Sequence, residues 1–115
     1  MGAERRVFPR AALHVRVTLT TKEAVSVDAR SKDVSIGGLC VMSSRSLPDG
    51  VDVIVKFELP LRGKFQKMAL PARIVNSVLT GDGYRIGLQF VELDENNSQT
   101  IQAFVRSAGP RAPGT

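Results

Sequence analysis

Residues 51–59 read VDVIVKFEL, and this stretch decides the fold class. Apolar side chains occupy every second position, which is the period of a β-strand with one face in a core. A turn signal follows at residues 60–64. The next alternating run has its apolar positions at Met68, Leu70, Ala72 and Ile74. Pro71 within that run requires a bulge or an edge position. The two runs together predict a β-hairpin and an antiparallel sheet.

Alternating runs of the same kind lie on both sides of this hairpin. They cover residues 13–19, 24–34, 39–43 and 84–90, with turn signals at residues 21–23, 48–50 and 80–83. We expect Val25, Val27 and Ala29 to point inward in the second run, and His14 to lie on the polar face of the first. Short strands at this spacing predict an all-β fold, a small antiparallel β-barrel or sandwich of about six strands.

The period of the apolar positions changes after the last strand. Asp94 is a candidate N-cap, and Ile101, Phe104 and Val105 follow at helical spacing before a Gly-Pro pair at residues 109–110 ends the pattern. One C-terminal α-helix is therefore predicted, packed on an end or side of the barrel. We expect a flexible, arginine-rich arm over residues 1–11, one domain over residues 12–107 and a disordered tail over residues 108–115.

Composition narrows the class of protein. The chain has 115 residues and carries 16 Lys and Arg against 11 Asp and Glu, a net charge of +5 that favours anionic partners. The single cysteine, Cys40, lies in an apolar run, so we expect a buried, reduced thiol and a cytoplasmic protein. No apolar stretch approaches the ~20 residues of a membrane span.

The residues needed for catalysis or metal binding do not form a recognisable set. There is one histidine and one cysteine, on different predicted strands. No group of His, Cys, Asp and Glu has the spacing of metal ligands. We therefore expect no catalytic residue, no metal and no cofactor, and a binding protein rather than an enzyme.

Two polar segments are the candidates for binding. In the segment DVSIGG, residues 33–38, Asp33 and Ser35 point the same way from an extended chain, beside a bare backbone patch at Gly37 and Gly38. This arrangement suits a flat, hydrogen-bonding ligand such as a purine. The arm carries arginines at positions 5, 6 and 10, and guanidinium matches both phosphate and the O6/N7 edge of guanine. Taken separately, the segments also fit an ordinary turn and a solvated basic tail.

Taken together, the two segments resemble the motifs of the PilZ domain family. Arg6-x-x-x-Arg10 is followed by Asp33-x-Ser35-x-x-Gly38 on the first hairpin of an all-β chain. Residues 71–75 and 83–90 look like the last two strands of that family, and the closing helix also matches. The resemblance implies a PilZ-like six-stranded β-barrel that binds the bacterial second messenger cyclic di-GMP. Asn76 departs from the pattern, because many members carry an aromatic residue near this position.

The resemblance also implies a role for each motif residue. Arg6 and Arg10 would clamp phosphates and guanine edges, and Asp33 would accept hydrogen bonds from guanine N1 and N2. Ser35 would add a hydrogen bond to the ligand or hold the arm, and Gly38 would leave room for the base. In this family, an arginine at the position of Arg5 is associated with binding an intercalated ligand dimer.

The function implied is that of a receptor or adaptor. We expect the arm, Met1 to Pro9, to be mobile without ligand and ordered with it, and the change to be read by an unidentified downstream protein. Two alternatives are a small basic barrel that binds nucleic acid, and a PilZ-like protein-interaction module without nucleotide. The absence of Trp and the single Tyr argue against the first because stacking platforms are few. The intact motifs argue against the second.

Overall fold

The computed structural model describes residues 8–108, and this part of the chain folds into an antiparallel β-barrel with one helix. The elements in chain order are β1 (Ala11–Ala12), β2 (Arg16–Thr21), β3 (Ser26–Val34), β4 (Gly38–Ser43), β5 (Asp52–Leu61), β6 (Lys64–Thr80), β7 (Gly83–Phe90) and α1 (Glu95–Ala108). The predicted all-β class and the single C-terminal helix are therefore confirmed.

Six of the strands close into the predicted barrel. The order around the sheet is β3-β2-β5-β6-β7-β4, and pairing of β3 with β4 completes the circle. The short strand β1 adds to the end of β3. Apolar side chains from every strand and from α1 form the core, the largest fully buried ones being Leu19, Leu59, Leu70, Ile74, Ile86 and Ile101. Closure pairs each of these six strands on both sides, although the end of the β5–β6 hairpin extends beyond β2 and β7.

The predicted first strand, residues 13–19, is interrupted. Strands β1 and β2 both pair with β3, and the residues between them face an irregularity in that ladder. The buried hydroxyl of Ser31 donates to the carbonyl oxygen of Leu13, and it accepts a hydrogen bond from the amide of Val15 at 2.9 Å. The Ser31 side chain thus supplies hydrogen bonds that these backbone groups would make in a regular ladder. The break in the strand is therefore a stable part of the fold.

The second predicted strand begins later than expected. The amide of Ala24 donates to the carbonyl of Thr21, and Ala24 has a φ of 66°. This turn delays β3 until Ser26. Val25, predicted to point inward, is consequently 43% exposed, whereas Val27 and Ala29 are buried as predicted.

The central hairpin forms as predicted, but Pro71 causes no bulge. Arg62 and Gly63 both have positive φ, the conformation of a two-residue type I′ turn. Pro71 lies opposite Ile54, and its carbonyl accepts from Val91 just beyond the end of β7. In an antiparallel strand, the N–H and C=O of one residue point towards the same neighbouring strand. The N–H that Pro71 lacks would therefore point beyond the last residue of β7.

The helix α1 is capped by a side chain, as predicted. Oδ1 of Asp94 accepts a hydrogen bond from the amide of Asn97 at 2.7 Å. The buried face consists of Ile101, Phe104 and Val105, and the helix packs against β5 and β1. Within residues 8–108, no helix is long and apolar enough to cross a membrane.

The proposed domain limits fall close to elements of the structure. Ala11, assigned to the arm, lies in β1, and Ala108, assigned to the tail, is the last residue of α1. Residues 8–10 of the predicted arm are described, whereas residues 1–7 and 109–115 lie outside the described residues.

Candidate ligand-binding site

An ion pair joins the two polar segments singled out in the sequence. Nη1 of Arg10 donates to Oδ1 of Asp33 at 3.0 Å, across 23 positions of the chain. The ladder brings the two together, because Ala12 pairs with Asp33 and Arg10 immediately precedes β1. The Asp33 side chain is 10% exposed and that of Arg10 33%. The carboxylate is therefore enclosed and the guanidinium partly open to solvent.

The serine of the motif shapes the turn that follows β3. Oγ of Ser35 accepts from the amide of Gly37 at 3.0 Å. The backbone amide of Ser35 also donates to the carbonyl of Gly38 at 2.9 Å. A serine hydroxyl that accepts one hydrogen bond keeps its own proton to donate. Ser35 therefore holds the turn and retains a donor.

The two glycines of the turn are surrounded differently. A Cβ on Gly37 would lie 3.0 Å from Cδ2 of Phe8, so the arm packs its phenyl ring against this glycine. A Cβ on Gly38 would lie 2.0 Å from the backbone oxygen of Leu88, on the neighbouring strand β7. The close approach of β4 and β7 thus requires glycine at position 38, apart from any need for ligand space.

A row of residues extends from the ion pair across the outer face of the barrel. Asp33 pairs with Cys40, Cys40 with Gly87, and Gly87 with Asn76, on four successive strands. Residues directly opposite each other in a ladder share a face. Oδ1 of Asn76 accepts from the amide of Gly87 at 3.2 Å. The row forms a shallow surface beside Asp33.

The position of Cys40 corrects the prediction of a buried thiol. Its neighbours Leu39 and Val41 are buried, whereas Cys40 between them is partly exposed on the outer face. The period of two places Cys40 opposite to its neighbours, and this signal was available in the sequence. The buried thiol was predicted because the residues next to Cys40 are apolar.

The pKa of Cys40 is shifted by burial and by the charges around the site. Burial raises the pKa of the thiol, and the carboxylate of Asp33 raises it further. Arg85, Arg10 and Lys32 act in the opposite direction. Three cations and one carboxylate thus surround the row, a balance that favours an anionic ligand with hydrogen-bond donors.

The raised pKa predicts slow alkylation of Cys40. The thiolate is the reactive form, and at any pH below the raised pKa the folded protein contains less of it than the unfolded chain. Iodoacetamide should therefore modify native protein more slowly than urea-unfolded protein, and the pH midpoint of the rate should be higher in the native state. Mass spectrometry over a pH series gives both rates, without ambiguity because the chain has one cysteine. Equal midpoints would contradict the assigned environment.

The motif residues now have known places, with two exceptions. The structure brings together Arg10, Asp33, Ser35, Gly37 and Gly38 at one end of β3. Arg5 and Arg6 lie outside the described residues. Two features of the site were not predicted from the sequence: the packing of Phe8 against Gly37 and the outer row beyond Asp33. Pairing of distant strands places that row, and no local pattern specifies such pairing.

A family model decides where the chain belongs. The model of the PilZ domain matches residues 4–107, which is nearly the whole chain. The chain is a member of the PilZ domain family. No curated protein sequence matches it significantly.

Several solved structures share the fold. The Bacillus subtilis inhibitor of motility (MotI/DgrA) matches with a TM-score of 0.78 at 18% identity, over 91% of this chain and 52% of that chain. The PilZ domain of Escherichia coli YcgR, solved with c-di-GMP, matches with a TM-score of 0.67 at 15% identity, over 91% and 92%. The MrkH–c-di-GMP complex of K. pneumonia gives 0.70 at 18%, over 91% and 52%. This PilZ chain spans about half the length of the first and third proteins.

Proposed function

We propose that this PilZ domain is a receptor for cyclic di-GMP that binds the nucleotide between its arginine arm and the turn after β3. The observation that carries the proposal is the ion pair of Arg10 with Asp33, which joins the two motifs at 3.0 Å. Two structurally similar proteins, the PilZ domain of YcgR and MrkH, were solved with this nucleotide. The net charge of +5 suits a ligand with two phosphates.

The enclosed carboxylate of Asp33 supplies the selectivity for guanine. Guanine presents adjacent donors at N1 and N2, and a carboxylate fixed by a guanidinium is an oriented acceptor for them. Arg10, at the open side of the pair, can also reach a phosphate or the O6/N7 edge of a base. Ser35 contributes the hydroxyl proton that the turn leaves available, and Gly37 offers backbone without a side chain.

The remaining arginines of the arm provide the second and third cations. Arg6 would act with Arg10 on the phosphates of one nucleotide. An intercalated dimer of cyclic di-GMP carries more phosphate charge and an additional purine face, and Arg5 would hold it by stacking and ion pairing. We therefore propose two nucleotides per chain.

The signal would be a change in the arm and in the segment beside it. A nucleotide that engages Arg10 competes with or reinforces its pair with Asp33, and Phe8 next to it packs on Gly37. Both contacts lie on the turn that receives the base in this proposal, so ligand binding would reposition the arm. The repositioned surface is read in the cytoplasm by a downstream protein whose identity the proposal leaves open.

Calorimetry tests the receptor function and its stoichiometry. Cyclic di-GMP should bind wild-type protein at two per chain, and Arg5→Leu should bind one, because the third guanidinium is lost while Arg6 and Arg10 remain. Cyclic di-AMP and GTP should bind weakly, since the first lacks the paired donors and the second lacks the cyclic geometry.

A single-stranded oligonucleotide serves as the control for nucleic-acid binding. Tight oligonucleotide binding without cyclic di-GMP binding would replace the receptor assignment with the nucleic-acid one. A stoichiometry of one for both proteins would remove the role of Arg5 and leave the receptor assignment standing.

A further inference from the structure

A second concave surface lies away from the motif residues, between the start of β2 and the β5–β6 hairpin. The pairing of β2 with β5 extends from Thr21 opposite Val53 to Thr18 opposite Lys56, whereas β5 and β6 stay paired out to the turn at Arg62 and Gly63. The hairpin therefore projects past β2. The resulting groove has a volume of about 530 Å³, within the size range of ligand pockets.

Two apolar side chains border this groove on its open sides. Val15, half-buried, lies on the side towards β2, whereas the core residues Phe57 and Met68 line the base and are only 5% and 4% exposed. Phe65 forms the wall on the hairpin and is 67% exposed, although its ring is large and apolar. An exposed aromatic ring beside an apolar cleft is characteristic of a binding surface rather than a packed face.

The rim of the groove is positively charged. Arg16, Lys56 and Lys67 line it together with one carboxylate, that of Glu58. All four residues are exposed. The lining thus combines the apolar side chains of Phe65 and Val15 with an excess of two positive charges, and a complementary occupant combines an apolar side chain with acidic neighbours.

From this charge pattern we propose that the groove binds an acidic peptide segment of a partner protein, with one large apolar side chain against Phe65 and Val15 and carboxylates against the rim. Residues 1–7 and 109–115 of this chain are poor occupants, because their sequences MGAERRV and GPRAPGT carry more Arg than Asp and Glu. A membrane surface fits a convex, inserting feature better than a concave one. The inference does not rest on nucleotide binding, and it is tested without nucleotide.

The test selects peptides from a random library on immobilised wild-type protein, with counter-selection on a Phe65→Ser, Lys67→Glu double variant. Recovered peptides should be acidic and should carry at least one large apolar residue. A synthetic copy of the most enriched peptide should bind wild type, and Phe65→Ser should weaken it by about tenfold or more, as expected of an aromatic hot spot. Lys67→Glu should weaken it through charge reversal.

Matched control variants separate the groove from the general surface. Leu79→Ser removes an equally exposed apolar residue, 68% exposed, at the far end of β6, and Arg45→Glu reverses a charge outside the groove. Neither should change peptide affinity. A native circular dichroism spectrum and an unaltered urea midpoint of Phe65→Ser would show that the fold is intact.

Several outcomes would overturn the proposal. These are recovery of basic or uncharged peptides, equal affinity for wild type and Phe65→Ser, or equal loss in the Leu79→Ser control. Two others are association of the chain with itself that requires Phe65, and binding of phosphatidylglycerol vesicles that requires Phe65 without any peptide enrichment. Each of these last two results would assign the groove to a different occupant.

Discussion

Arg10→Ala should weaken the binding of cyclic di-GMP by about 10- to 100-fold, since a charge-assisted hydrogen bond contributes about 1.5–3 kcal/mol. The expected loss has two causes in the structure. The variant removes a guanidinium from the ligand-binding surface. It also removes the group that orients the Asp33 carboxylate, since Nη1 of Arg10 lies 3.0 Å from Oδ1 of Asp33. Calorimetry on the wild type and the variant measures the change.

Arg10→Ala should also lower the free energy of unfolding. A fully solvated arm would predict no such loss. Asp33 is buried, and losing Arg10 removes one of its partners. Because Arg10 is one-third exposed, solvent can replace part of the interaction, and we expect a loss of about 1 kcal/mol. Urea denaturation separates this cost from the loss of affinity.

Arg45→Ala is the matched control for net charge, because Arg45 is exposed and lies outside the motifs. It should leave affinity and stability almost unchanged. Arg10→Lys keeps the charge but loses the planar fork, so its affinity should fall between wild type and Arg10→Ala. If Arg10→Ala binds as tightly as wild type, the site does not lie at this ion pair.

Gly38→Ala should destabilise the fold by about 3 kcal/mol or more, a large part of the stability of a small domain. The added Cβ would lie 2.0 Å from the backbone oxygen of Leu88, which cannot rotate away as a side chain can. Strands β4 and β7 would have to separate, and their ladder helps to close the barrel. The free energy of unfolding in urea measures the effect.

Two other glycines provide a graded comparison for this prediction. Gly81→Ala should be nearly neutral, because a Cβ there meets nothing within 4 Å. Gly37→Ala should fall between the two, since its neighbour at 3.0 Å is the phenyl ring of Phe8, which can shift. If Gly38→Ala is as stable as Gly81→Ala, the close approach of β4 and β7 is not a constraint on the fold.

Much of the candidate site could be predicted because its signals are local. The period of two along β3 and the Gly-Gly pair that follows predict a polar rim beside bare backbone. Asp33 and Ser35 were identified from these patterns and Arg10 from the arginines of the arm, and the structure places the three at one end of β3. The rest of the site depends on partners that lie far away in the chain. Cys40, Gly87 and Asn76 share one row only because three ladders align them.

The sequence by itself determined the strands, the hairpin turns and the capped helix, because each depends on side-chain period and turn chemistry within a few residues. Only the tertiary structure decided that Ser31 interrupts the first strand, that Leu88 requires glycine at position 38, and that the β5–β6 hairpin leaves a groove beside Val15. These features arise where barrel closure brings distant strands to fixed separations. A register between strands is a property of the closed sheet, and a single strand does not encode it.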